Sequence, residues 1–298
     1  MANELTRKQL DLLKLLAAYR ILSVDEAAVL QGAGQQAARK RLRKLMALGL
    51  ADGRPHGFGR SRGRPARIYC LSDEGIAYLK SLGRGVSQAA DRDAEATTAP
   101  NHQLLLNWCL LHLRHWGQSY PQLTVCVAEE RHADDNADPS VPARSRRGPS
   151  PRTIPDAVFS ITRQDRRKVL LFFLEVDMAS ETVASFSRGK RDFRSKILRY
   201  QERFRSGSYK RYEQLWGCQL QGFRLLVVTN SRKRMSSLCR LVREMPPSDF
   251  VWLTDQAALF ASGISAPIWV QGGRRDHLLQ SIVGPTLARV EPLLPVRP

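Results

Sequence analysis

The apolar run Val169-Leu170-Leu171-Phe172-Phe173-Leu174 is the feature that most limits how this chain can fold. An uninterrupted apolar stretch of this length reads as a strand buried on both faces. A second strand-like run, Ala157-Val158-Phe159-Ser160-Ile161, precedes it, and the polar stretch Arg163-Gln164-Asp165-Arg166-Arg167 lies between them as a turn. Pro155-Asp156 opens the first run and Glu175-Val176-Asp177 closes the second. In an antiparallel hairpin the start of the first strand lies beside the end of the second. Asp156 and Glu175 would then meet at one edge of the sheet, with Asp177 on the same face as Glu175.

Carboxylates that converge beside a buried strand repel one another unless a cation lies between them. Oxygen-only ligands favour Mg²⁺ or Mn²⁺. Asp156 and Glu175 are the expected ligands. Glu129 or Glu130, at the end of the preceding strand candidate Leu123–Ala128, would add a third carboxylate. Asp177 either joins them or supports them from behind. Cleavage of a phosphodiester needs a metal to activate water and a cation to offset developing charge. Lys196 is the best-placed lysine, on the helix expected after Asp177, with Tyr200 on the same helical face.

The 298 residues carry a net charge of +19, and 43% are hydrophobic, which suggests two domains with real cores. The positive charge is spread along the chain, as expected of a nucleic-acid binder. The sequence opens without a long apolar segment and contains no stretch of membrane-spanning length, so a cytoplasmic protein is expected. Its five cysteines are scattered and never spaced C-x-x-C, which excludes a zinc finger and suits a reducing compartment. Cys109, His112 and His115 share one helix, but packing against a sheet accounts for them better than a metal does.

Thr6–Ala18 and Val24–Leu30 read as helices capped by Thr6 and Ser23. A third helix, from about Gln35 to Leu48, ends at Gly49. On it Ala38, Leu42, Leu45 and Met46 form the inward stripe, while Arg39, Lys40, Arg43 and Lys44 project outward. A Gly/Arg loop follows, with Arg60, Arg62 and Arg64, then the strand Ala66–Leu71, which carries Arg67, and a closing helix from Ser72 to about Leu82. Three helices, a basic hairpin and a closing helix make a winged helix-turn-helix. Its third helix would enter the major groove of double-stranded DNA, and its wing would follow phosphates or the minor groove.

The expected fold class is α/β (α+β). A winged helix over residues 1–84 and a linker over 85–100 lead into a mixed-sheet domain over 101–275, with a mobile loop at 131–153 and a tail at 276–298. Within the second domain helices are expected at His102–Trp116, Phe186–Phe204 and Arg232–Glu244. Further strands are expected at Phe223–Thr229 and Phe250–Leu253.

Several segments together resemble the replication-relaxation family of mobile-element proteins. They are Leu5-Thr6-Arg7, Tyr19–Ser23, the Arg39–Gly49 helix, Arg64–Leu71 leading into Glu74-Gly75, Pro155-Asp156, Leu174–Asp177 with Glu181-Thr182, and Lys196–Tyr200. The resemblance extends from about Leu5 to Leu259. That family overlaps the MobC-type relaxases, in which a winged helix is joined to a PD-(D/E)xK endonuclease-like domain. The resemblance implies recognition of an origin and metal-dependent nicking of one strand, without a covalent tyrosine. It assigns Asp156 and Glu175 as metal ligands, Glu129 or Glu130 as an upstream glutamate, and Lys196 as the catalytic lysine. Asp177 stands where the general endonuclease pattern has lysine. A coupling ATPase or other transfer proteins, and a homodimer, are compatible with this reading. Two rivals are a non-catalytic regulator binding an operator and a restriction-like defence nuclease.

Overall fold

The computed structural model describes residues 5–56, 66–83, 99–128, 154–163, 168–180, 183, 192–276, 278–284, 287 and 293. The chain divides into two units, one comprising Met1–Leu111 and the other His112–Leu293.

In the first unit, α1 (Arg7–Tyr19), β1 (Ile21–Ser23), α2 (Val24–Leu30), α3 (Gln35–Ala47), β2 (Ala51–His56), β3 (Ala66–Leu71) and α4 (Asp73–Ser81) follow in order. Local chemistry sets the helix starts. Thr6 and Gln9 close a capping box on α1, and Ser23 and Glu26 close another on α2. α3 stops where Gly49 takes a φ of 71°, as a C-terminal glycine should. The three strands pair antiparallel in the order β1-β3-β2, which with the helices is a winged helix. Leu12, Leu13 and Leu16 of α1 pack on Ala38, Leu42 and Leu45 of α3, and Tyr69 of β3 closes the core. β1 was not expected from the sequence; it pairs Ile21 with Cys70 and makes the sheet three-stranded.

Helix α5 (Pro100–Gln118) contains the division between the units, which falls at Leu111–His112 instead of in the 85–100 stretch. Its first turns belong with the winged helix because they pack there. Leu104 joins Ile21 and Ile68, and the Asn107 amide donates to the Ile21 carbonyl at 2.7 Å.

Glu26 is fully buried near this contact. Its Oε2 accepts from the Ser23 amide at 2.7 Å, while Oε1 has no hydrogen-bond partner among the described residues. Burial outweighs the Ser23 bonds and pushes its pKa up to about 8. The folded chain therefore holds a proton at Glu26 that the unfolded chain has released, and stability falls as pH rises from about 4.5 to about 8. Glu26→Gln preserves the capping geometry and removes that penalty. It is expected to raise stability at pH 8 by on the order of 3 kcal/mol and to flatten the slope across this window. Urea unfolding of both proteins at pH 5 and pH 8 checks it, and equal slopes would refute it.

The second unit is built on a six-stranded mixed sheet in the order β4-β5-β6-β7-β8-β9. Its strands are β4 (Leu123–Val127), β5 (Ala157–Arg163), β6 (Lys168–Asp177), β7 (Phe223–Thr229), β8 (Val251–Asp255) and β9 (Val270–Gln271), the last beyond what the sequence suggested. β4, β5 and β6 are antiparallel, β6, β7 and β8 are parallel, and β9 returns antiparallel. The parallel strands need crossovers, supplied by α6 (Phe193–Arg205) with α7 (Tyr212–Trp216), and by α8 (Arg232–Arg243). A short helix α9 (Gln256–Ser262) follows β8.

Within the range 186–204 expected to be helical, α6 begins at Phe193, where the Asp192 carboxylate accepts from the Ser195 amide and caps it. Positions 186–191 of that range lie outside the described residues. On one sheet face Val158, Leu171, Phe173, Leu225, Val227 and Leu253 pack under Phe193, Ile197 and Tyr200 of α6 and Leu238 and Val242 of α8. Among the described residues no helix is long and apolar enough to cross a membrane.

Candidate metal-binding site

The β5–β6 register decides the geometry. Ala157 pairs with Leu174 and Val158 with Phe173, so Asp156 and Glu175 are the next opposed positions. Because side chains alternate along a strand, Glu175 and Asp177 lie on the face of Leu171 and Phe173, and Asp156 on that of Val158. That is the face covered by α6 and α8. Asp177 and Thr229 end β6 and β7 at neighbouring positions, so the acidic edge coincides with the carboxyl ends of the parallel strands. Open α/β sheets bind ligands at that end.

Glu175 is 1% exposed and held from both sides. The Lys196 ammonium donates to its Oε2 at 2.8 Å, and the Tyr200 hydroxyl to its Oε1 at 2.6 Å. Lys196 and Tyr200, one turn apart on α6, thus reach the same carboxylate, and the lysine side chain is still 19% exposed. Burial pushes the Glu175 pKa up, the Lys196 charge pulls it back, and the nearby Asp156 carboxylate raises it again. Burial and the Glu175 charge hold the Tyr200 phenol well above its usual value, so it stays protonated and is a poor nucleophile. Asp156 is half-buried, and its Oδ2 accepts from the Val176 amide at 2.7 Å, which fixes the carboxylate against β6.

Asp177 goes elsewhere. The Arg234 guanidinium grips it with Nε at 3.1 Å from both carboxylate oxygens and Nη2 at 2.8 Å from Oδ2. The pair is buried, with side chains 9% and 5% exposed. Asp177 therefore anchors the start of α8 to the end of β6, in place of the ligand or supporting role expected of it. Sequence reasoning missed Arg234, although a signal existed. Arg232-Lys233-Arg234 opens α8, and cations at a helix N-terminus oppose its dipole unless a carboxylate compensates.

Asp156, Glu175 and Lys196 are thus brought together, and Asp177 is drawn off to Arg234. Glu129 and Glu130 lie outside the described residues, as do Arg60, Arg62, Arg64 and the 131–153 loop. Among the described residues no group of three acidic, histidine or cysteine side chains is assembled to hold a metal. The donor set that is present still suits an oxygen-preferring cation. Two opposed carboxylates share a face, and a carboxylate oxygen can accept more than one contact. His112 is buried against Phe260, ring centroids 6.1 Å apart, and burial lowers its pKa to about 4.

On the winged helix, Arg39, Lys40, Arg43 and Lys44 of α3 are all exposed while Ala38, Leu42 and Leu45 are buried, so the two faces separate as the sequence pattern requires. Arg67, on β3, is exposed as well.

No curated protein matches the chain. Solved structures similar to it include a MarR family transcriptional regulator from Silicibacter pomeroyi DSS, at 24% identity and a TM-score of 0.22. That alignment covers 32% of this chain and 58% of the regulator. The replication-relaxation family profile matches residues 13–217, a span that holds α3, Asp156, Glu175, Lys196 and Tyr200 and ends before Arg234. With more than half of its 298 residues matched, the chain belongs to the replication-relaxation family.

Proposed function

We propose that this protein is a site-selective DNA-binding protein of a mobile genetic element, acting in the cytoplasm. Its second unit, PD-(D/E)xK endonuclease-like, nicks one strand at a transfer or replication origin with Mg²⁺ or Mn²⁺, in the manner of MobC-type relaxases. The observation that carries the catalytic half is the convergence of Asp156, Glu175 and Lys196, with the ammonium 2.8 Å from Glu175. Asp156 and Glu175 would hold the cation, which would activate water and offset charge on the leaving oxygen. Lys196 balances the buried Glu175 charge and, being partly exposed, can meet a phosphate oxygen as negative charge develops there. Tyr200 keeps its proton and prevents Glu175 from rotating. A coupling ATPase and a second copy of the chain are the partners this reading invites.

Family membership and the exposed basic face of α3 support double-stranded DNA at an origin or operator as the partner. Arg43→Ala with Lys44→Ala is expected to weaken DNA binding and to lower the slope of log K against log salt by roughly 2. Fluorescence anisotropy over a salt series measures this, and an unchanged slope would remove α3 from the interface.

One observation favours a non-catalytic regulator instead. Both oxygens of Glu175 are already engaged by protein donors, an arrangement that also serves as a structural lock. Supercoiled plasmid bearing the origin, incubated with the protein and Mg²⁺, separates the readings. Open circles support nicking, unchanged plasmid supports the regulator, and linear product indicates a double-strand nuclease.

A further inference from the structure

We infer a second anion site on the His112–Leu293 unit, in a groove between the C-terminal half of α8 and the Gly272-Gly273 turn, that takes a phosphate group of the DNA backbone. This rests on the reading above that the protein binds DNA. The groove has a volume of about 220 Å³ and is lined by Ser236, Cys239, Arg240, Arg243, Gly273 and Arg275.

Arg240 and Arg243 lie three residues apart on one face of α8. Arg275 arrives from a separate segment, and its Nη1 donates to Ser236 Oγ at 2.9 Å. Among the described residues no carboxylate lines the groove and none of the three guanidinium groups makes an ion pair. Glu244, four residues after Arg240 and exposed, is not used to neutralise it. The neighbouring Arg274 shows the contrast, since it is paired with Asp249. Placement near the end of α8 suits the helix dipole and accounts for Arg240 and Arg243. It does not account for the third arginine brought beside them.

The turn is built to bring it there. Gly273 has a φ of 73°, and a Cβ on it would stand 2.2 Å from the Cys239 carbonyl oxygen. Only glycine lets this backbone lie against α8 and set Arg275 over Ser236. Three guanidinium groups that no described carboxylate neutralises, gathered around one concavity, repel one another, and an anion relieves that repulsion. Guanidinium also matches phosphate oxygens in geometry. Sites that enclose a drug-sized molecule run to about 300–1,000 Å³, so this smaller groove suits one anionic group of a longer ligand.

The full-length chain carrying Arg240→Gln, Arg243→Gln and Arg275→Gln tests the site. All three side chains are exposed, so folding should be retained. With DNA, the triple variant is expected to lose about 1 to 2 from the slope of log K against log salt, and to bind roughly tenfold more weakly. Arg274→Gln, removing a paired guanidinium, should leave the slope unchanged. In parallel, inorganic pyrophosphate is titrated into both proteins while the melting temperature is followed. A slope that drops in the triple variant supports the backbone site. An unchanged slope, with pyrophosphate raising the wild-type melting temperature only, overturns it and reassigns the groove to a free phosphate ligand. No difference in either measurement overturns the site altogether. Absence of DNA binding by the wild-type chain itself would refute the functional reading, and the pyrophosphate titration would then decide the groove.

Discussion

Replacing Asp156 by Asn or Glu175 by Gln is expected to lower Mg²⁺-dependent nicking of supercoiled origin plasmid by about two orders of magnitude or more. DNA affinity and its salt dependence should stay as they are. The reasoning begins with the hairpin register, which sets the two carboxylates opposite one another on the face covered by α6. Either substitution halves the negative charge available to a cation while preserving shape. Asn at 156 can still accept from the Val176 amide through its carbonyl oxygen. Gln at 175 can accept one of the two bonds now donated by Lys196 and Tyr200, and Lys196 is open enough to water to stay solvated. Loss of activity should therefore not come from unfolding, which circular dichroism and urea midpoints check. Lys196→Met should reduce nicking to a similar degree, because it removes the only positive charge that reaches Glu175 within hydrogen-bond distance among the described residues. Conversion to open circles, resolved on agarose, is the readout for all three. Wild-type nicking by both carboxylate variants would remove the site.

The hairpin and its acidic ends were readable because two constraints coincide there. An uninterrupted apolar strand admits few environments, and the period of two along a strand then fixes which residues share a face. Lys196 and Tyr200 were readable for a similar reason, since a four-residue spacing puts both on one side of a helix. Asp177 was misjudged because its partner is 57 residues away in the chain, and nothing local to Glu175-Val176-Asp177 points to Arg234. β1 escaped notice because three residues are too few to show a period. The division at Leu111 was hidden because α5 is a single long helix with apolar residues spread along it. Helical periodicity says which face of a helix is buried, and it does not say which unit each turn joins.

The Arg234–Asp177 pair should show the largest effect on stability. Arg234→Met removes a guanidinium that satisfies both oxygens of a buried carboxylate, and leaves that charge behind at the end of β6. Breaking a buried pair from one side costs about 3–5 kcal/mol, because the remaining ion keeps its desolvation penalty without its partner. Asp177 can recover little, since among the described residues its other bond is a single one from the Ala179 amide at 2.6 Å. Removing both charges is a different experiment. Arg234→Met combined with Asp177→Leu leaves two apolar groups between α8 and β6, and should recover most of the lost stability. The coupling energy from that double-mutant cycle, measured by urea unfolding, should be large, whereas an exposed pair gives about 0.2–1 kcal/mol. The same double variant also tests the separation of roles. If Asp177 serves only to fasten α8 to the sheet, it should nick plasmid about as well as wild type, with Asp156, Glu175 and Lys196 undisturbed. A double variant that is stable yet inactive would place Asp177 back among the groups that handle the cation.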